Sequence, residues 1–137
     1  MQGYNVILLF NAAYGKLLMC LRKKEPYKGL SNLVGGKIEQ GEDGLAAAYR
    51  ELFEETGVSQ NDVTLTHFIT LTYPLSDCYV EAYAGKLKRE IEVFGEENDL
   101  YWSDLNRDFF DMTTFAGEGN IGHMMELVKL SEKELLG

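Results

Sequence analysis

The sequence predicts a mixed α/β sandwich, in which helices pack against a sheet. Apolar and β-branched segments alternate with segments of helical periodicity, in the order strands, helix, strands, helix. The 137 residues fit one domain of ordinary size, and neither an internal repeat nor a linker divides them. We therefore expect residues 1–137 to form a single layered domain.

Strands are expected where Val, Ile, Leu, Phe and Tyr cluster between turn-forming residues. These segments are residues 4–11, 16–22, 63–73, 79–87 and 100–102. The first two are separated by residues 12–15, which have turn character, so they predict a hairpin. After a loop at residues 23–31, Gly35 and Gly36 mark a stretch that requires backbone freedom or close approach.

Two helices are expected, one in each half of the chain. The first covers about residues 43–56 and ends before Gly57, the residue type that favours closing a helix in the left-handed conformation. The second covers residues 120–136, where apolar side chains recur at roughly helical spacing. Asn120 is expected to act chiefly as the N-cap of that helix, because asparagine ranks among the best capping residues.

Composition and charge restrict the classes of function. The chain carries 22 acidic and 13 basic residues, a formal net charge of −9, which argues against non-specific binding to a nucleic acid polymer. No apolar stretch is long enough to span a membrane, and the N-terminus lacks the features of a signal peptide. The expected location is therefore the cytoplasm, with no membrane partner. Cys20 and Cys78 are expected to be reduced and buried.

The strongest functional pattern lies in residues 36–58, GKIEQGEDGLAAAYRELFEETGV. On a helix with about 100° per residue, Glu54 and Glu55 flank Glu51 at about −60° and +40°, so three carboxylates share one face. Their mutual repulsion costs stability unless cations lie among them, and carboxylate oxygens suit Mg²⁺ or Mn²⁺. Arg50 lies four residues before Glu54 and can orient it through an ion pair. The ordinary alternative is a solvated acidic helix face.

This segment resembles the signature of the Nudix hydrolase family, G-x5-E-x7-R-E-U-x-E-E-x-G-U, with U a bulky aliphatic residue. The match holds at every fixed position: Gly36, Glu42, Arg50, Glu51, Leu52, Glu54, Glu55, Gly57 and Val58. These spacings favour a metal site over a solvated face. The resemblance implies an α/β/α sandwich with a mixed sheet, in which the motif forms a loop–helix–loop that binds divalent ions.

The resemblance also implies a role for each motif residue. The metal ligands would be Glu51, Glu54, Glu55 and the carbonyl oxygen of Gly36. Glu42 would support the site by hydrogen bonding, and Arg50 would orient a glutamate. Gly35 and Gly57 would support the loop and the end of the helix. The expected cofactor is Mg²⁺ or Mn²⁺.

The general base is expected to be either a motif glutamate or an acid from a later loop, because branches of the family differ in this respect. Glu96, Glu97 and Asp99 precede Trp102, where many relatives carry such an acid. We favour Glu97 or Glu96 as the outer catalytic and metal-binding acid, with a polar turn as the alternative. Residues 31–34, SNLV, depart from the aromatic-x-x-Pro run of many relatives, which puts the substrate contacts of that run in doubt.

Several residues outside the motif are candidates for substrate binding. Five basic residues precede the motif helix: Arg22, Lys23, Lys24, Lys28 and Lys37. They predict a phosphate-binding rim to which Arg22, Lys24 and Lys37 contribute, although a solvated loop is the alternative for any single lysine. Asn120 resembles, by position, an asparagine with which the MutT-like branch of the family reads a purine edge. Aromatic candidates for stacking on a base are Tyr73, Tyr79, Phe110 and Phe115.

The resemblance implies attack by water on a phosphorus atom of a nucleoside diphosphate linkage in a small nucleotide. The leading expectation is a nucleoside triphosphate pyrophosphohydrolase of the MutT-like kind, releasing a nucleoside monophosphate and pyrophosphate. An oxidised purine nucleotide such as 8-oxo-dGTP is a candidate substrate. The rival is an ADP-ribose or nucleotide-sugar diphosphatase, and the hypothesis of another class is a non-catalytic nucleotide-binding regulatory module. The sequence predicts no particular oligomeric state.

Overall fold

The computed structural model describes residues 1–95 and 99–137. The strands of these residues are β1 (Gln2–Phe10), β2 (Lys16–Leu21), β3 (Ser31–Asn32), β4 (Lys37–Ile38), β5 (Thr66–Tyr73), β6 (Cys78–Lys86) and β7 (Asp99–Asp104). The helices are α1 (Gly44–Thr56), α2 (Asn120–Leu130) and α3 (Glu132–Leu136), with a short 3₁₀ turn at Pro74–Ser76. This order of elements confirms the predicted α/β class.

The strands form a mixed sheet with β1 at its centre. Along its whole length β1 pairs in parallel with β6, from Gln2 opposite Cys78 to Phe10 opposite Lys86. It also pairs antiparallel with β2 and β4, while β6 pairs antiparallel with β5. Strand β2 pairs antiparallel with β3 and β7. Because parallel neighbours need a long connection, the chain between β1 and β6 has room for α1.

Side chains of β1 alternate between the two faces of the sheet, and helices cover both faces. Ile7 and Leu9 join the apolar cluster that contains Ala48 and Leu52 of α1. Leu8 and Phe10 join the opposite cluster. Its members from α2 and α3 are Ile121, Met124, Met125, Val128 and Leu135. The arrangement confirms the α/β/α sandwich.

Leu8 is expected to contribute strongly to stability, because its side chain is 0% exposed and packs in the cluster shared with α2. Leu8→Ala should lower the free energy of unfolding by about 2–5 kcal/mol, through lost burial and the cavity left behind. Leu130→Ala is the matched control, since Leu130 is 82% exposed, and it should change stability by less than about 0.5 kcal/mol. Urea denaturation measures both, and equal losses would contradict this assignment of the core.

The main differences from the sequence prediction concern the start of one strand, the continuity of one helix and two short strands. The strand expected at residues 63–73 begins at Thr66, because Val63 and Leu65 are buried without strand pairing and so imitate a strand pattern. The helix expected at residues 120–136 is interrupted at Ser131, whose φ of −127° is not helical. The sequence does not predict β3 and β4, because two-residue strands carry no periodicity.

The predicted N-cap role of Asn120 is wrong. Gly119 occupies the cap position in the left-handed conformation, with φ of 88°, and Asn120 is the first residue of α2. The cap lies one residue earlier than predicted, and no side chain there makes a capping hydrogen bond. The Asn120 side chain instead donates a hydrogen bond to the hydroxyl of Tyr73, the last residue of β5.

Two other expectations concern the membrane and the cysteines. Across the described ranges, no helix is both long and apolar enough to cross a membrane. Cys20 and Cys78 are free thiols, as predicted. Cys20 is buried, whereas Cys78 is only half-buried and therefore more exposed than predicted.

Candidate active site

Helix α1 is fixed at both ends and turns one face to the core. At its N-terminus, the Asp43 carboxylate accepts a hydrogen bond from the Ala46 amide at 3.1 Å. At its C-terminus, Gly57 adopts the predicted left-handed conformation (φ 80°) and donates to the Phe53 carbonyl at 2.9 Å. The buried face consists of Ala47, Ala48, Leu52 and Thr56. The acidic residues therefore project from the remaining surface of α1.

Arg50 links the carboxylates of this region to one another. Its guanidinium makes a two-point contact with Glu42, from Nε at 2.7 Å and from Nη2 at 2.9 Å. Its Nη1 donates to Glu51 at 2.9 Å and to Glu54 at 3.3 Å. Nη2 also donates to the backbone carbonyl of Lys37 at 3.0 Å. One cation thus connects three carboxylates with the backbone of β4.

Glu42 is held in its ionised form by these contacts. Besides the two bonds from Arg50, its Oε1 accepts a hydrogen bond from the Glu39 backbone N–H at 3.0 Å. The Arg50 hydrogen bonds, followed by the Glu39 backbone bond, lower the pKa of Glu42 to about 2. Glu42 therefore stays charged through the neutral and mildly acidic range, which fits the supporting role predicted for it.

Glu51 is more enclosed than Glu54, with 14% of its side chain exposed against 56%. A β-carbon at Gly36 would clash with the Glu51 carboxylate, so a larger residue there would displace the Glu51 side chain. Burial raises the pKa of Glu51, whereas Arg50 lowers it and the charges of Glu54 and Glu42 raise it further. The site therefore carries a partly desolvated negative charge that Arg50 alone does not offset.

Glu55 also approaches the glycine loop, a name used here for Gly35 and Gly36. The Gly35 N–H points towards Glu55 Oε2, with an N···O distance of 3.5 Å. Carboxylate oxygens of Glu51 and Glu55 thus lie near the same loop backbone, and these hard ligands fit Mg²⁺ or Mn²⁺. In the part of the chain that the structure describes, no three Asp, Glu, His or Cys side chains already converge as a metal site. The metal-ligand roles of these glutamates stay predictions.

Two adjoining cavities lie beside the glutamates. The proximal cavity, about 540 Å³, is lined by the glycine loop and Glu55, together with the basic residues Arg22 and Lys37. The distal cavity, about 420 Å³, is lined in part by Tyr73 and Asn120. The residues shared by both walls are Val6, Tyr27, Asn32, Leu33 and Val80. The two cavities therefore form one cleft that leads from Glu55 and the glycine loop to the start of α2.

The structure brings together only part of the predicted basic cluster. Arg22 and Lys37 line the proximal cavity, and Arg22 is steadied by a 3.2 Å hydrogen bond from Nε to a carbonyl of its own loop. Lys23 pairs with Asp99 at 3.1 Å. Lys24 lies on the wall of neither cavity, so its role in phosphate binding stays a prediction without geometric support.

Two hydrogen-bonded pairs lie at the distal cavity. Asn120 donates from Nδ2 to the Tyr73 hydroxyl. The Tyr27 hydroxyl donates to the Glu118 carboxylate at 2.9 Å. Burial raises the pKa of Tyr73. Burial and the hydrogen bond to Glu118 raise the pKa of Tyr27 to about 12. Both hydroxyls therefore stay protonated at neutral pH. The Tyr27 proton is donated to Glu118, whereas Tyr73 can still donate beside an amide that offers donor and acceptor groups.

The four predicted stacking residues have different surroundings. Tyr73 lines the distal cavity. Phe115 is buried in the apolar core, Tyr79 lies against Gly3, and Phe110 is 51% exposed. Only Tyr73, of these four, borders the cleft.

Several residues of the cleft were not predicted from the sequence. These are Asn5, Asn32, Tyr27 and Glu118. A polar asparagine within the apolar run of β1 was the one available signal for Asn5. Glu118 precedes Asn120 in the run Gly-Glu-Gly-Asn, which has loop character and no periodicity.

Glu96 and Glu97, predicted as candidates for the general base, lie outside the described residues. The next acid, Asp99, opens β7 opposite Leu21 and pairs with Lys23 at 3.1 Å. The choice between a motif glutamate and an outer acid therefore stays a prediction.

Fold and site together define an α/β/α protein with an arginine-linked glutamate cluster, a glycine loop and a polar cleft. The family model of the NUDIX domain matches residues 1–102. The chain belongs to the Nudix family, as residues 36–58 predict.

Named relatives agree with this membership. An ADP-ribose pyrophosphatase of Methanocaldococcus jannaschii is 33% identical over 95 residues, which cover 61% of this chain and 56% of that protein. The match thus spans little more than half of that relative. An Ap4A hydrolase structure from C. elegans aligns with a TM-score of 0.77 at 18% identity, covering 98% of this chain and 99% of that one. A MutT NUDIX hydrolase from Burkholderia pseudomallei aligns with a TM-score of 0.65 at 21% identity, covering 93% and 97%. These structural likenesses show a shared fold.

Proposed function

We propose that the chain is a Mg²⁺- or Mn²⁺-dependent hydrolase of nucleoside diphosphate derivatives. Its leading substrate is a nucleoside triphosphate, cleaved to a nucleoside monophosphate and pyrophosphate. The observation that carries the proposal is the glutamate cluster joined by Arg50, with Glu51 against Gly36, at one end of a cleft. An acidic centre beside a basic wall suits a phosphate substrate that arrives with a divalent cation.

The reaction is attack by water on a phosphorus atom of the linkage between the α- and β-phosphates, with departure of either pyrophosphate or the nucleoside monophosphate. Glu51, Glu54 and Glu55, together with the Gly36 carbonyl, would hold the ion, and Arg50 keeps the glutamates oriented. A bound divalent ion would lower the pKa of the attacking water and neutralise charge on the phosphate oxygens. Glu97 or a motif glutamate would accept the proton of the water.

The proximal cavity would bind the phosphates of the substrate, and the distal cavity would bind its base. Arg22 and Lys37, on the wall of the proximal cavity, would bind phosphate oxygens that the ion leaves uncovered. The distal cavity, about 420 Å³, is of a size used for small-molecule binding. Its Asn120 amide and Tyr73 hydroxyl would contact the edge of the base, and an oxidised purine nucleotide is the leading natural target.

A second candidate substrate is ADP-ribose or a nucleotide sugar. The 33% identity with an archaeal ADP-ribose pyrophosphatase favours it, and the same glutamates would act on that linkage. The alternative of another class is a non-catalytic nucleotide-binding module. Since the motif retains every glutamate, this alternative has less support.

The test is a panel of nucleotides incubated with the protein and Mg²⁺. It includes ordinary and oxidised triphosphates, ADP-ribose, sugar nucleotides and dinucleoside polyphosphates, with phosphate and pyrophosphate release measured separately. Glu54→Gln is the inactive control, and Glu126→Gln, on the exposed surface of α2, is the matched control that should stay active. Pyrophosphate from one triphosphate, lost in Glu54→Gln, would support the proposal. Turnover confined to ADP-ribose or a sugar nucleotide would replace the leading substrate, and the absence of any Glu54-dependent turnover would refute the hydrolase.

A further inference from the structure

Asn5, on the central strand β1, forms hydrogen bonds with the glycine loop through both its backbone and its side chain. Its backbone N–H donates to the Gly36 carbonyl at 2.8 Å. Its side-chain Oδ1 accepts a hydrogen bond from the Gly36 N–H at 3.0 Å. Gly35 packs so closely on the Asn5 carbonyl oxygen that a β-carbon at Gly35 would clash with it. Asn5 therefore sets the position of the loop against which Glu51 packs.

The remaining polar atom of this side chain has no partner. Asn5 is 2% exposed, and within residues 1–95 and 99–137 its Nδ2 is buried without a hydrogen bond. Leaving a buried donor unpaired is unfavourable, because the N–H has lost its contact with water without gaining an acceptor. Turning the amide over would not relieve this cost, because Nδ2 would then face the Gly36 N–H, donor against donor. The Gly36 N–H therefore fixes the orientation of the Asn5 amide, and Nδ2 remains a donor without an acceptor.

Asn5 lies on the wall of the proximal cavity, beside the glycine loop. The same wall carries the cationic side chains of Arg22 and Lys37. The residue with the unpaired N–H therefore lies on the same cavity wall as two positive charges. Phosphate oxygens satisfy such a combination, since they accept several hydrogen bonds and carry negative charge.

We infer that Asn5 binds the diphosphate group of the substrate: Oδ1 holds the glycine loop, and Nδ2–H donates to a phosphate oxygen in the proximal cavity. This inference rests on the proposed function, and it deepens that proposal by assigning the phosphate contact to a residue outside the Nudix motif. The same side chain would tie the position of the phosphate to the loop beside Glu51, because one planar amide contacts both.

The direct test observes the Asn5 side-chain amide in the unmodified protein by NMR, with ¹⁵N-labelled asparagine and inorganic pyrophosphate plus Mg²⁺ as the probe. The Asn5 resonance is the one that Asn5→Asp removes. On saturation it should shift downfield and exchange more slowly with solvent, because the N–H gains a charged acceptor. The exposed Asn61 amide is the internal control and should not move. An unmoved Asn5 resonance at saturating pyrophosphate would overturn the inference.

Asn5→Asp supplies the second measurement, because aspartate keeps an oxygen for the Gly36 N–H and removes the donor. By isothermal titration calorimetry, its dissociation constant for magnesium pyrophosphate should rise about 10- to 100-fold, the effect of losing a hydrogen bond to a charged group. Because Asn5 is 2% exposed, salt screens the added carboxylate charge only weakly, so the NMR shift in the unmodified protein is the measurement that separates the lost donor from charge repulsion. Binding within about twofold of wild type would contradict the inference. If this variant folds poorly, the Asn5 side-chain resonance is assigned instead by triple-resonance NMR of the unmodified, uniformly labelled protein, and the NMR test remains decisive.

The two proposals fail in different ways. Nucleotide turnover together with an unmoved Asn5 resonance would overturn the role of Asn5 and leave the hydrolase standing. A shifted resonance without turnover of any nucleotide would support the phosphate contact and refute the hydrolase.

Discussion

Replacing Glu51 with glutamine should lower kcat on the substrate that the panel identifies by about 10³-fold, on the order of losing one electrostatic contact to developing charge. Glutamine keeps the shape of the side chain against Gly36 but removes a negative charge.

In the absence of metal, Glu51→Gln should unfold at no lower temperature than wild type. Burial raises the pKa of Glu51 in the folded protein, so ionised Glu51 disfavours folding at neutral pH, and this penalty disappears as the pH falls through the raised pKa.

Glu126→Gln is the matched control for this prediction. Glu126 is 55% exposed and pairs with Lys129 at 3.5 Å on the surface of α2. It lines neither cavity of the cleft. Its kcat should stay within about twofold of wild type, since exposed ion pairs contribute little. Equal kcat values for Glu51→Gln and wild type would remove Glu51 from the active site.

Replacing Arg50 with lysine should lower kcat by about 10²-fold although the charge is kept. A single ammonium group cannot make the two-point contact with Glu42 and also reach Glu51 and Glu54. These glutamates would then shift, and a displacement of about 1 Å near reacting atoms can cost on the order of 10²-fold. The measurement is kcat at saturating Mg²⁺. Arg89→Lys is the matched control, because Arg89 is 69% exposed and pairs with Asp62 at 3.2 Å.

In a Glu51→Gln background, which removes the carboxylate whose raised pKa Arg50 also affects, the stability effect of Arg50→Lys should not depend on pH between about pH 8 and about pH 5. Arg50 lowers the pKa of Glu42 to about 2 in the folded protein. A carboxylate with a lowered pKa stabilises the fold above its unfolded pKa, and that contribution is lost only as the pH falls through the folded value. Denaturation of both proteins across this range tests the point, and a difference that vanishes at about pH 5 would place the ion pair elsewhere.

Helix α1 and its ends could be predicted because the interactions that define them are local. The spacing from Glu51 to Glu55 places the acids on one face whatever the rest of the chain does. Gly57 ends the helix in a conformation that few other residues adopt easily, and the structure has it there. Residues 36–58 were thus sufficient to predict both the family and the centre of the candidate site.

The cleft could not be predicted in the same way, because distant segments build it. Asn5 meets Gly36 across 31 residues of sequence, and Tyr27 meets Glu118 across 91. Such pairs depend on which strands become neighbours, and the parallel pairing of β1 with β6 leaves no local signal. The hydrophobic pattern identifies β1 as buried but does not say which of its polar residues faces a cavity.

Asn120 shows how an average preference can mislead. Asparagine is a good N-cap, yet Gly119 adopts the left-handed conformation and takes that position. The side chain of Asn120 then finds Tyr73, which lies 47 residues earlier, at the end of β5. The purine-edge role, which the sequence placed second to capping, is therefore the one that remains to be tested.

The central claim is that the glutamates of α1 form a divalent metal site, and Mn²⁺ binding followed by electron paramagnetic resonance tests it without knowledge of the substrate. Wild type should deplete the signal of free Mn²⁺ with saturable binding. Glu55→Gln should weaken that binding at least about 10-fold, as expected when an anionic oxygen ligand is lost. Glu126→Gln should bind Mn²⁺ as wild type does. Equal Mn²⁺ affinity in wild type and Glu55→Gln, or no saturable binding in wild type, would contradict the account.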